Sequence, residues 1–246
     1  MVGSAPEFPS GTVAVVLGSS GFLGSALMDR LSEAGLPCLG VDMQGTATNV
    51  DLTDPTQLRH MLSDFLNESP DSSNVVLTVA TGRAVFTDTT ERTFDEISGV
   101  LMTNVGIPLF ALNEVRRACI DRGISGSFVL ISSVFAKKVP QFDNYQFSER
   151  RSSEVYGASK AALEQMVRYY ASVLGPEGLR VNGLAPGGIF DESTHSTLFT
   201  SSYSKDAALG RMSDRAEVVD GIFFLLSDRS RGITGHTLAV DCGYRL

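Results

Sequence analysis

Short runs of consecutive apolar, mostly β-branched residues recur along the chain, and longer stretches with a three-to-four-residue apolar period lie between them. TVAVVL (12–17), PCLGVD (37–42), NVVLTVA (74–80), SFVLISS (127–133), RVNGLAP (180–186) and TLAVD (237–241) read as strands buried on both faces. A further short strand is expected near 47–50. Helical patterning covers 22–34, 55–67, 91–121, 154–174 and 214–227. Strand and helix alternate without repeat or linker, which predicts an α/β fold: one doubly wound parallel sheet with helices on both faces. Ligands of such sheets sit beyond the carboxyl ends of the strands, so the residues following Leu17, Asp42, Ala80, Ser133 and Pro186 are the ones to inspect.

Charge narrows the classes of partner. With 20 basic and 28 acidic residues the chain carries a formal charge of −8, which argues against a general nucleic-acid or membrane-surface binder. An anionic ligand must then be met locally. Residues 1–11, with Gly, Ser and two Pro, are expected to form a flexible tail before a single domain at 12–246, and neither a signal region nor a membrane span is expected. Cys38, Cys119 and Cys242 lie far apart without metal or redox spacing, as do His60, His195 and His236; no metal is expected, and the thiols fit a cytoplasmic protein.

LGSSGFLG (17–24) follows the first strand directly. Gly18 can take backbone angles closed to other residues, Gly21 lets a phosphate approach, and Gly24 lets the helix pack on the strand. The start of that helix, through Ser19, Ser20, Phe22 and Leu23, then offers donors to a pyrophosphate. A tight turn that holds nothing is the alternative. Asp42 closes the second strand 42 − 18 = 24 residues on, near the offset at which a carboxylate takes the hydroxyls of an adenosine ribose and repels a 2′-phosphate. With Met43 and Gln44 next, the pattern favours NAD over NADP; otherwise Asp42 is a solvated strand end. Asp51 and Leu52 fall near the place of an adenine ring, while Asp54 suits the cap of a helix starting at Pro55. Together these features make the sheet Rossmann-like.

YGASK (156–160) places Tyr156 and Lys160 one helical turn apart on one face. A neighbouring ammonium lowers the pKa of a phenol, so Tyr156 can exchange a proton with an alcohol or ketone while a hydride moves at carbon. Glycine turn, strand-end Asp and Y-x-x-x-K in this order resemble the short-chain dehydrogenase/reductases, from Thr12 to Leu246. The resemblance implies that Ser133, the second serine of ISS, polarises the substrate oxygen. It maps the family's asparagine to Asn104 in LMTNVGIPLF, and it implies that Lys160 also binds the cofactor ribose. Because Pro108 has no N–H, the Asn104 carbonyl lacks its ordinary helical partner and can hold a water linked to Lys160. The same resemblance places Ala80, Thr81 and Gly82 beside the cofactor, and Pro186, Gly187, Gly188 and Ile189 beside the nicotinamide. It also implies a homodimer or homotetramer built on the long helices.

Several features depart from the family pattern. Phe22 stands where a glycine is usual, and the interval from Ser133 to Tyr156, 156 − 133 = 23 residues, is longer than usual. Tyr145 falls near the common spacing but has Glu149, not lysine, four residues later. The insertion near 140–155, with APGGIFDE and the closing Y-R-L, is similar to reductases associated with bacterial surface-sugar and nonulosonate pathways. Arg83, Lys137, Lys138, Arg150 and Arg151 then either ring a pocket for an anionic sugar or are solvated charges. Residues 188–213 lack clear periodicity and suit a substrate lid. The expected activity is an NAD-dependent oxidoreductase interconverting a secondary alcohol and a ketone, on a small-molecule substrate such as a sugar or another polar anion. Its rivals are a dinucleotide-binding sensor or scaffold without turnover, and an epimerase or lyase that keeps its NAD.

Overall fold

Alternation along β1 (Thr12–Leu17) sets the architecture: Val13, Val15 and Leu17 enter one hydrophobic core, and Ala14 and Val16 enter another on the opposite face. The structure, a computed structural model, describes residues 7–42, 50–52, 54–145 and 152–244. β2 (Cys38–Val41), β3 (Asn74–Val79), β4 (Ser125–Ile131), β5 (Leu179–Pro186) and β6 (Thr237–Val240) join β1 in one parallel sheet of order β2-β1-β3-β4-β5-β6. This is the expected doubly wound, Rossmann-like arrangement. The chain reverses its direction across the sheet at β1 and β3, the switch point at whose strand ends ligands of such sheets sit.

Helices cover both faces. α1 (Phe22–Glu33) and α7 (Arg215–Leu226) bury Leu27, Leu31, Val218 and Ile222 in the core of Ala14 and Val16. α2 (Pro55–Glu68), α4 (Ile107–Arg122) and α5 (Glu154–Leu174) bury Leu58, Leu62, Leu112, Val115, Leu163 and Val167 in the other. Asp54 does cap α2, accepting from the Thr56 N–H at 2.8 Å with Pro55 in the first turn.

The helix expected over 91–121 is instead two helices joined by a π-turn. α3 (Phe94–Leu101) starts late because Thr93 and Glu96 form a capping box, and Met102–Gly106 then winds as π-helix before α4. Pro108 cannot donate to the Asn104 carbonyl, and the Ile107 N–H reaches back five residues to Met102. The segment 188–213 contains α6 (Thr197–Lys205), capped by Ser196.

Part of the expected flexible tail is packed. Phe8 is buried with its ring edge-on to Phe223 at 5.0 Å, and Glu7 pairs with Arg229 at 2.9 Å, because apolar burial against α7 holds the segment down. The possible strand near 47–50 lies outside the described residues except for Val50, which is buried. Among the described residues no helix is long and apolar enough to cross a membrane.

Candidate functional site

At the carboxyl end of β1 the glycines are required by close contacts. Gly18 has φ +82°, and a Cβ there would stand 2.9 Å from the Ala80 carbonyl. At Gly24 a Cβ would lie 2.0 Å from the Gly18 oxygen, so only glycine lets α1 begin against the strand end. Phe22 takes the family's usual glycine place without conflict: it is 43% exposed, and the Arg215 guanidinium covers its ring at 4.9 Å. No side chain caps α1, which leaves the N–H groups of its first turn, from Phe22, Leu23 and Gly24, for an anion.

Two further observations fit a dinucleotide. Among the described residues the buried Ser19 hydroxyl has no hydrogen-bond partner, a donor open to an acceptor. Asp42, directly after β2, accepts from the Ser20 N–H at 2.8 Å, which brings its carboxylate beside the glycine turn. Met43 lies outside the described residues. Leu52 is buried, and exposed Asp51 donates its N–H to the Gln57 side chain at 3.4 Å.

Beyond β3, the Ala80 N–H bonds to the Leu17 carbonyl at 2.9 Å, and Thr81 donates its hydroxyl to the Thr103 carbonyl at 3.1 Å. Gly82 faces open space. Beyond β5, which ends at Pro186, a Cβ on Gly187 would come within 2.8 Å of Asp241, and one on Gly188 within 2.8 Å of the Tyr203 ring. The Gly188 N–H donates to the Tyr203 hydroxyl at 2.5 Å, and Ile189 bridges to Ser213. Tyr203, on α6, thus ties the expected lid to the Pro-Gly segment. Nothing in the irregular pattern of 188–213 signals that role.

The proton-handling groups converge beyond β4. Ser133 starts a short helical turn and accepts from the Phe135 N–H at 3.2 Å, which leaves its own hydroxyl hydrogen to donate elsewhere. Tyr156 and Ser133 line one cavity, and the Lys160 Nζ stands 5.6 Å from the Tyr156 ring centre. Ser153 caps α5 by accepting from the Tyr156 N–H at 3.2 Å, so the cap also sets the position of Tyr156. Burial raises the Tyr156 phenol above its ordinary value, while a hydrogen bond with Ser133 pulls it back.

The expected lowering by Lys160 is not the state found. Lys160 is 2% exposed and donates to the Ile131 carbonyl at 2.8 Å, and burial brings its pKa down to about 8. Its charge serves a backbone carbonyl first, so desolvation dominates the phenol.

Asn104 is fully buried, and its side chain acts as a clamp. Its Oδ1 accepts from the Arg83 N–H at 2.7 Å, while its Nδ2 donates to the Arg83 carbonyl at 3.0 Å and to the Ser159 hydroxyl at 2.9 Å. Ser159 was legible as the S of YGASK, yet nothing in the spacing paired it with Asn104. Of the five basic side chains that either ring a pocket or stand solvated, the three within the described residues are engaged elsewhere. Lys137 pairs with buried Glu164 at 3.2 Å, Lys138 donates to the Tyr244 carbonyl at 2.8 Å, and the Arg83 guanidinium lies against Gly99. Each cation found a nearer acceptor or packing surface. Arg150 and Arg151 lie outside the described residues.

The chain is similar to known proteins in sequence and in fold. A family model described as enoyl-(acyl carrier protein) reductase matches residues 29–245. Post-translational flagellin modification protein A of Campylobacter coli is 36% identical over 121 residues, covering 49% of this chain and 46% of that protein. L-xylulose reductase of Caenorhabditis elegans is 34% identical over 157 residues, covering 62% of this chain and 58% of that one. The matches thus span about half the length of these curated relatives. A short-chain dehydrogenase of Leptospira borgpetersenii, solved with bound NAD+, aligns over 98% of this chain and 94% of its own at 25% identity, with a TM-score of 0.87. A family model spanning most of the chain and a shared fold along nearly all of it place this protein in the short-chain dehydrogenase/reductase family.

Proposed function

We propose that the protein is an NAD-dependent oxidoreductase that interconverts a secondary alcohol and a ketone. The observation that carries this reading is the convergence of Ser133, Tyr156 and buried Lys160 beside one cavity at the carboxyl end of the sheet. NAD, when bound, supplies the hydride acceptor or donor at the reacting carbon. Ser133 donates to the substrate oxygen and stabilises charge developing there. Tyr156 gives that oxygen a proton in reduction and removes it in oxidation. Raised by burial, the phenol holds its proton at neutral pH, the state needed for donation to a ketone. Lys160 offers positive charge below the phenol, and the Asn104 carbonyl, without a donor from Pro108, supplies the next acceptor in a proton relay.

The uncapped start of α1, the Ser19 hydroxyl and Asp42 would hold the dinucleotide. Asp42 supports NAD over NADP, as does the NAD+ in the Leptospira relative. Exposed Leu101, Met102, Tyr169 and Val173 on α3, the π-turn and α5 support a homodimer or homotetramer through these helices. Three free thiols support a cytoplasmic setting. A sugar or polar anionic substrate draws support from the flagellin-modification relative alone, since Lys137 and Lys138 are engaged elsewhere. The test is NAD+ reduction across a panel of secondary alcohols by wild type and Tyr156→Phe. Equal rates would overturn the proposed chemistry; cofactor that co-purifies without net change in nicotinamide absorbance would mark an epimerase or lyase instead.

A further inference from the structure

The cavity in front of Ser133 and Tyr156 has a volume of about 610 Å³, room for a small organic substrate, and aromatic rings form much of its wall. Phe199 is the centre of that wall. His195 stacks on it at 5.1 Å, Tyr145 leans against it at 5.2 Å, and Tyr203 follows at 6.0 Å. Phe86 and Phe135 line the same space. Such faces suit a ring or other apolar body, while Ser152, Thr194, His195 and Ser196 add polar groups to the lining that can meet a few oxygens.

Charge points the same way. Among the described residues no Lys or Arg lines the cavity, and the charged group that does is Asp191. Hydrogen bonds from Ser193 and Thr194 hold its carboxyl below the usual range, so it is an anion at neutral pH and opposes an anionic substrate.

Tyr145 supplies a second directional group. Its side chain faces the cavity shared with Tyr156, and among the described residues no group hydrogen-bonds its hydroxyl. Burial pushes that phenol up to about 12, so it remains a donor throughout the neutral range and takes no part in proton removal.

Resting on the dehydrogenase reading above, we infer that the substrate is an uncharged secondary alcohol, or its ketone, on a ring body packed against Phe199, with a second oxygen that accepts a hydrogen bond from Tyr145. The balance is that of the parent reaction: the alcohol carbon loses a hydride to NAD+, its oxygen loses a proton through Tyr156, and the ketone leaves. Tyr145 binds the distal oxygen and exchanges nothing.

The experiment compares kcat/KM with NAD+ for cyclohexanol, the cyclohexanediol regioisomers and glucose phosphate, in wild type and Tyr145→Phe. Wild type is expected to prefer one diol over cyclohexanol by about tenfold, the worth of one neutral hydrogen bond, and Tyr145→Phe to erase that preference mainly through KM. Better turnover of glucose phosphate than of any cyclic alcohol, or an unchanged preference in Tyr145→Phe, overturns the inference. If no alcohol is oxidised, calorimetric titration of the diols into NAD-loaded protein separates the two claims. Binding about tenfold weaker in Tyr145→Phe keeps the cavity assignment while the dehydrogenase reading fails. Equal binding, or none, removes the assignment itself.

Discussion

Replacing Lys160 by methionine removes an ammonium whose burial lowers its pKa from 10.5 to about 8. In the unfolded chain the same lysine titrates at its ordinary value. Between those two values the unfolded state therefore holds a proton that the native state has released, and stability rises with pH across the window. Below about 8 both states are protonated, and the native protein carries the cost of a buried charge. The shift of 10.5 − 8 = 2.5 units corresponds to about 3 kcal/mol at roughly 1.4 kcal/mol per unit. Methionine has similar length and no proton to lose, so its stability lacks this slope. Urea unfolding of both proteins from neutrality to about pH 10.5 measures the difference, in which other titrating groups cancel. Wild type should gain on the variant by about 3 kcal/mol across the window. Parallel stability curves would refute the claim that burial, and not a salt bridge, governs Lys160.

Gly24→Ala puts a Cβ 2.0 Å from the Gly18 oxygen, so the turn must shift; NAD affinity in a fluorescence titration should fall at least about tenfold. Asn104→Ala leaves the Arg83 N–H and carbonyl without their clamp and should cost about 2–4 kcal/mol in urea unfolding. An unfolding midpoint within error of wild type would show that the clamp carries no weight. On the proposed reading Asp42 disfavours a 2′-phosphate, so in Asp42→Ala the ratio of NAD to NADP efficiency should drop at least about tenfold.

Interactions between near neighbours in the chain were the legible ones. Strands buried on both faces announce themselves as apolar runs, and Tyr156 with Lys160, or Asp54 with Pro55, need only local geometry. The late start of α3 was also written locally, in the Thr93 and Glu96 capping box, although the apolar period alone ran past it. What stayed hidden depends on tertiary partners. Phe8 orders because Phe223 waits 223 − 8 = 215 residues away, and Tyr203 of α6 packs because Tyr244 stacks on it at 4.2 Å. Lys137 and Lys138 look like pocket charges until Glu164 and the Tyr244 carbonyl come beside them. The sign of the Tyr156 shift likewise rests on burial, a property of the folded site with no counterpart in Y-x-x-x-K spacing.

Tyr156 as the group that moves the substrate proton is tested most directly by NAD+ reduction in wild type and Tyr156→Phe, using the secondary alcohol that wild type oxidises best. The ring stays, and only the phenolic oxygen and its bond with Ser133 are lost. The predicted result is a fall in kcat of at least about a hundredfold, with nucleotide affinity and Tm unchanged. Undiminished turnover in Tyr156→Phe would contradict it.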